Sequence, residues 1–268
     1  FFGKLWLALF SAAVFGGILG LNVSARFKSA VTVYILLPLL LLPQMLLGGL
    51  IVDFDDLRSR AAPNADPPWF GELTASRWAF EALAVEQYQA NAYQRPFEAV
   101  DRELSGLDFL VHARIPALLG RIDALLLAAP DRGEEIRALL AREFRELETE
   151  SPRFAGAAAA VAAWNPPDRA AIESLKTALR EGSRELQAAR DAAQTRRNAI
   201  QDALIAEHGE EGLAAFVKAN TNRKLVELVR RKGLLDPIRE QGGRLVRLAD
   251  PVYQPAESPW GRAPFMAG

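Results

Sequence analysis

The sequence predicts an all-α protein made of a transmembrane helical hairpin, an interfacial helix and a soluble helical-bundle or coiled-coil-like domain. Three observations predict it. Charge is segregated: Leu5–Ala25 and Ser29–Val52 contain no charged residue. Apolar residues then recur at spacings of three and four through a highly charged remainder. No stretch alternates convincingly between apolar and polar residues, as a half-buried strand requires.

The averages conceal this segregation. The 268 residues carry a formal net charge of −1. Residues 1–52 hold only Lys4, Arg26 and Lys28, so the remaining 216 carry 29 Lys and Arg against 33 Asp and Glu. An uncharged apolar run of 18 or more residues is long enough to cross a hydrocarbon core ~30 Å thick. Both runs qualify, giving predicted transmembrane helices over about 5–25 and 29–52. A buried core helix, or a signal peptide at residues 4–25, fits less well. The second run follows directly, and no convincing small-residue cleavage site separates them.

The first helix, LWLALFSAAVFGGILGL, is rich in small residues. Gly16 and Gly20 form a G-x-x-x-G spacing, which lets backbones approach closely in lipid. Packing within the chain and a seam between subunits both fit. The short connector NVSARFKS makes the two helices antiparallel neighbours. The second helix, YILLPLLLLPQMLLGGLIV, contains Pro38 and Pro43. Lipid-embedded helices tolerate proline where neighbours re-satisfy the freed backbone groups. The pair predicts a kink between residues 35 and 45, and both a static bend and a hinge fit it. Asp53, Asp55 and Asp56 mark the water boundary. Basic residues at the connector and at the outer ends are balanced, so charge does not set the orientation.

Residues 53–94 read as a turn-rich linker followed by an interfacial or re-entrant helix. Trp69, Leu73, Phe80 and Leu83 fall near one side, and Trp69, Phe70 and Trp78 are the candidate interface anchors. The first core helix of a soluble domain is the alternative.

Residues 95–250 form a charged helical extramembrane domain. Its clearest element runs from about Asp168 to Glu207, opened by Pro166-Pro167 and closed by Gly209. Ile172, Leu175, Leu179, Gly182, Leu186, Ala189, Ala193, Arg196, Ile200 and Ala203 form a heptad seam that Gly182 and Arg196 spoil. EEIRALLAREFRELE supplies a second stripe, Ile136, Leu139, Leu140, Phe144 and Leu147. An antiparallel bundle buries both stripes. The basic stretch RRKGLLDPIREQGGRLVRL reads as a solvated surface in preference to a phosphate site, since its cations are spread among acids. Residues 251–268 read as an extended, Pro-rich linker returning toward the bilayer.

There is no cysteine, hence no disulfide and no thiolate site. The sequence has no G-x-x-x-x-G-K-[ST] loop, no H-E-x-x-H and no G-x-S-x-G. His112 and His208 are far apart in sequence. No catalytic, cofactor-binding or metal-binding residue is predicted in this segment, and no nucleic-acid contact. The chain opens on Phe1, which reads as a fragment of something longer.

The order of segments resembles a known family. A small-residue helix (LFSAAVFGGILGLNVSA), a tight basic connector and a proline-bearing helix ending GGLIVDFDDL precede GELTASRWAFEALAVEQY. This series, over roughly residues 5–95, is similar to the fourth and fifth membrane helices and following re-entrant segment of G-subfamily ABC exporter permeases, the ABC-two type. The resemblance implies a multi-pass protein of the bacterial inner membrane, with residues 53–268 periplasmic or extracellular and a sixth helix beyond Gly268. It implies a nucleotide-binding domain that binds ATP and Mg outside this segment, on the same or a separate chain. It also implies a second permease half in a dimer. The chain lacks the external-loop cysteines of eukaryotic members and has a large helical insertion, as a bacterial variant would. A membrane-anchored helical scaffold without transport is the rival reading.

Overall fold

The computed structural model describes residues 2–46, 74–164, 169–230, 237–241 and 243–254. The fold is all-α apart from one short hairpin. The helices are α1 (Phe2–Arg26), α2 (Ala30–Leu46), α3 (Ala75–Gln89), α4 (Glu98–Phe109), α5 (Ile115–Leu125), α6 (Pro130–Glu150), α7 (Ala157–Ala162), α8 (Arg169–Asn220) and α9 (Arg223–Arg230). Strands β1 (Ile238–Gln241) and β2 (Arg244–Arg247) pair antiparallel, with Ile238 opposite Arg247 and Gln241 opposite Arg244. The described residues fall into two compact units. One is the N-terminal unit holding α1 to α3, together with the segment around α9; the other is the body, Pro96–Val217 with Arg230–Tyr253.

The body is built on α5, α6, α7 and the first half of α8. Ile115, Leu118, Ile122 and Leu125 line one side of α5; Ile136, Leu140, Phe144 and Leu147 line one side of α6. Both sets have the three–four spacing of a helix stripe, and both are buried. Phe154, Val161 and Trp164 fill the space between them and Ile172, Leu175 and Leu179 of α8.

α4 and α5 are one helix with a π-helical turn, Leu110–Arg114, between them. The cause is Pro116, which has no N–H for the carbonyl of His112 and whose ring crowds it. The wider turn relieves this: Ile115 N–H donates to Leu110 C=O, five residues back. The turn ends at Arg114, a buried guanidinium. Its Nε donates to Glu143 Oε2 at 3.0 Å, its Nη2 to Glu146 Oε2 at 2.7 Å and its Nη1 to Glu150 Oε1 at 3.3 Å. Burial raises the Glu150 carboxyl above its usual range; Arg114 opposes that rise, while Glu146 and Glu143 add to it. The sign is therefore fixed: Glu150 favours folding most below its unfolded value, and that contribution is lost as pH rises through its folded value.

The seam of α8 behaves differently along its length. Ile172, Leu175, Leu179, Gly182 and Ala193 are buried, but Ala189, Arg196 and Ala203 are exposed. The second half runs antiparallel to α4 and is joined to it by ions instead of apolar knobs. Arg190 pairs with Asp108, Arg196 with Glu103 at 2.7 Å and Arg197 with Asp101 at 2.7 Å. The seam is thus apolar in its first half only, and Arg196 belongs to a cross-helix ion pair. At Gly209 the backbone leaves the helix, with φ 69° and ψ 165°.

The hairpin corrects the expectation of a strand-free body. It docks on α6 through Glu143, whose Oε1 accepts the Leu245 N–H at 2.8 Å. The turn carries Gly243 at φ 71°, a conformation that favours glycine.

Candidate functional site: the apolar hairpin, its docked helix and the root of the body

Two narrow stripes of the N-terminal helices are the least exposed. On α1 they are Leu5, Ala8, Ala12, Leu19 and Val23; on α2, Val33, Leu36, Leu40 and Gln44. The remaining faces turn large apolar side chains outward, among them Leu9 (58% exposed), Leu21 (72%), Ile35 (70%) and Leu39 (66%). Soluble monomers rarely expose a patch of this extent; such patches mark contacts with a membrane or with another protein. α1 is long and apolar enough to cross a membrane, with mean hydropathy 1.8 over 18 residues. It is the only such helix among the described residues; α2 carries no charge over its 17 described residues but is shorter. Trp6 and Phe10 stack with ring centroids 4.9 Å apart near the α1 start, and Tyr34 is 74% exposed near the α2 start. An aromatic near each end of the apolar layer is the pattern of an interfacial belt.

Pro38 and Pro43 both lie inside α2, and the helix continues through them. Neither has an N–H, so Tyr34 C=O and Leu39 C=O receive no helical hydrogen bond. Gly16 and Gly20 face open space, since a Cβ on either meets nothing within 4 Å. Gly16 falls on the α1 stripe, between Ala12 and Leu19.

α3 packs against α1 and, more lightly, α2. Two polar contacts set it. Lys4 Nζ lies 3.3 Å from Glu86 Oε2, and the Glu86 side chain is only 6% exposed. Ser76 Oγ donates to Gln44 C=O at 2.6 Å. Lys4 and Gln44 occupy the end of the hairpin remote from its connector, so α3 is fastened there. Its buried residues are Ala82, Ala84, Val85, Glu86 and Tyr88. Phe80 and Leu83, expected near one side of the helix, are both half-buried. Trp78 is half-buried, with the Arg77 guanidinium 4.7 Å from its ring centroid. Trp69 and Phe70 lie outside the described residues, as do Asp53, Asp55 and Asp56.

The body closes on a second charged cluster. Asp101 is 5% exposed and lies between Arg197 and Arg230. Arg230 also pairs with Asp250, and its guanidinium sits 4.9 Å from the Tyr253 ring centroid. Arg247 donates to Ser105 Oγ, and Ser105 donates to Asp250. Burial pulls Arg247 below its usual value, while Asp250 opposes the shift. Asp250 holds φ 52°, and its N–H donates to Arg230 C=O at 2.9 Å. Asp is among the few residues that visit that region. The consequence is topological. Asp101 near the start of the body and Tyr253 near its end both meet Arg230, so the first and last segments of the body are joined there; the chain also leaves the body after Val217 and re-enters at Arg230. Pro251–Tyr253 is part of the body, with Val252 and Tyr253 buried, where a linker was expected from residue 251.

Sequence reasoning found the apolar helices and the prolines. It missed Glu86 and the Asp101–Asp250 cluster, because each depends on residues brought together across the chain; Trp6 had a local signal, its place four residues before Phe10 in α1. Among the described residues no group of His, Asp and Glu is arranged to hold a metal ion. Comparison with protein-family models, curated proteins and solved structures finds no match for this chain.

Proposed function

We propose that this segment is the permease part of an ATP-driven exporter of the G-subfamily ABC type, embedded as a multi-pass protein in a bacterial inner membrane. The observation that carries the reading is the outward-facing apolar surface of α1 and α2, with α3 fastened at the hairpin end remote from the connector. That surface needs a solvent of lipid. A helix docked just after the second crossing is what a re-entrant segment requires. The first and last segments of the body meet at Arg230, as a domain inserted between two membrane segments would require. In this reading ATP and Mg are bound by a nucleotide-binding domain outside this segment, and a second permease half completes the pathway.

Pro38 and Pro43 supply the mobile wall. Each deletes one helical hydrogen bond, at a cost of ~3 kcal/mol in a soluble helix interior. Replacing both with alanine restores the bonds and stiffens α2. The Pro38→Ala/Pro43→Ala variant, assayed in inverted vesicles with the complete transporter, is expected to insert normally and to hydrolyse ATP while export falls. Full export by the inserted variant overturns the hinge. Vesicles with no nucleotide-dependent export from the unaltered protein favour the membrane-anchored scaffold.

A further inference from the structure

The two apolar helices are held to α3 by unequal links. α3 packs more extensively on α1 than on α2. At α1, Lys4 Nζ pairs with the buried Glu86 carboxylate at 3.3 Å. At α2, the polar contact among the described residues is one neutral hydrogen bond, from Ser76 Oγ to Gln44 C=O. A charge-assisted contact is about twice as strong as a neutral one. The start of α2 is tied in another way, since only Phe27, Lys28 and Ser29 separate it from the end of α1. Pro38 and Pro43 lie between that tethered start and Gln44.

We propose that α3 is a one-sided clamp: it keeps α1 and the start of α2 as a fixed frame and lets the Gln44 end of α2 part from it. Separating α3 from α1 strands the Glu86 carboxylate, whose side chain is 6% exposed, without its cation. Removing one partner of a buried charge in this way is strongly destabilising. Separating α3 from α2 breaks a neutral bond between two half-buried residues. The Gln44 carbonyl then belongs to the orphan acceptors of a helix end, which water can satisfy. Pro38 and Pro43 delete helical hydrogen bonds just before that point and give α2 its place to bend. Bending at the prolines and release at Ser76 therefore act on the same end of the helix. The purpose of the motion rests on the permease reading, in which the parting end is the part of the pathway wall that moves.

The test is double electron–electron resonance between paired spin labels on the full chain in lipid nanodiscs. The chain has no cysteine, so labels attach only where one is introduced. Gln87→Cys on α3 is combined in turn with Leu9→Cys on α1, Val31→Cys at the start of α2 and Met45→Cys beside Gln44, all exposed positions. The Leu9 and Val31 pairs are expected to give one narrow distance distribution each. The Met45 pair is expected to give a broader or two-peaked one. Ser76→Ala is expected to shift the Met45 pair toward its longer distance and to leave the other two unchanged. The clamp is overturned if the Met45 pair is as narrow as the others, if Ser76→Ala does not move it, or if all three pairs broaden together. None of these outcomes depends on transport. ATP with vanadate, added to the complete transporter, is expected to shift the Met45 pair between its distances. A two-peaked Met45 pair that Ser76→Ala shifts but nucleotide does not upholds the clamp and counts against the permease reading.

Discussion

Replacing Arg114 with methionine is expected to cost the body about 3–5 kcal/mol of unfolding free energy, the range for breaking a buried pair from one side. The reason lies in Glu143, whose side chain is 1% exposed. Among the described residues Arg114 is its only cationic partner, and the carboxylate also accepts the Leu245 N–H. Without the guanidinium, a buried anion faces an apolar core. Glu146 and Glu150 are less affected, because their side chains are 40% and 42% exposed and reach water. The pair itself need not be worth that much: a neutral replacement of both partners is often tolerated. Arg114→Met with Glu143→Gln keeps an acceptor for Leu245 and removes the stranded charge. The double variant is therefore expected to be more stable than Arg114→Met alone. Denaturant unfolding of the three proteins measures it. A single-variant loss below about 1 kcal/mol, the range of an exposed pair, contradicts the burial argument.

Gly182 gives the second large effect. A Cβ built there meets Phe154 Cζ at 2.6 Å, and that ring is 2% exposed in the core. Phe154 also packs on Phe144, with centroids 6.4 Å apart, so it has little room to withdraw. Two effects compete in Gly182→Ala. Helix propensity gains about 1 kcal/mol; overpacking costs about 1–3 kcal/mol. The clash wins, and Gly182→Leu is worse, with a loss at or beyond the upper end of that range. Gly106 is the control. It lies in α4 with nothing within 4 Å of its Cβ position, so Gly106→Ala is expected to stabilise by roughly 0.5–1 kcal/mol. Opposite signs for one substitution at two helical glycines separate packing from propensity. A stabilising Gly182→Ala would remove the claim that glycine is required beneath Phe154.

Gly182 also shows where sequence reasoning stops. On the heptad pattern it is a defect in an otherwise apolar seam. In the fold it is the hole that receives Phe154, a residue from the short helical turn Pro152–Phe154 far along the chain. Local signals were read well: the α6 stripe, the stop at Gly209 and the charge-free helices all follow from spacing and composition. The β1–β2 hairpin had a usable signal in Gly242-Gly243 between IREQ and RLVR. Charged residues leave neither strand with an alternating apolar face, so the period-2 pattern of a half-buried strand is missing. Of the membrane-side site, Pro38, Pro43, Gly16 and Gly20 were legible. The Lys4–Glu86 and Ser76–Gln44 contacts were not, since they join residues 82 and 32 positions apart.

The central proposal is that α1 and α2 cross a bilayer, with the body on the face opposite the connector. In that reading each helix spans once and places its two ends on opposite faces, so the membrane separates Ser29 from the body. The chain has no cysteine, which makes single-cysteine labelling unambiguous. Ser29 in the connector and Ala203 on α8 are both exposed. In intact cells, a membrane-impermeant maleimide is expected to label Ala203→Cys and to leave Ser29→Cys unlabelled until the membrane is permeabilised. Equal labelling of both positions in intact cells, or labelling of Ser29→Cys alone, would contradict the account.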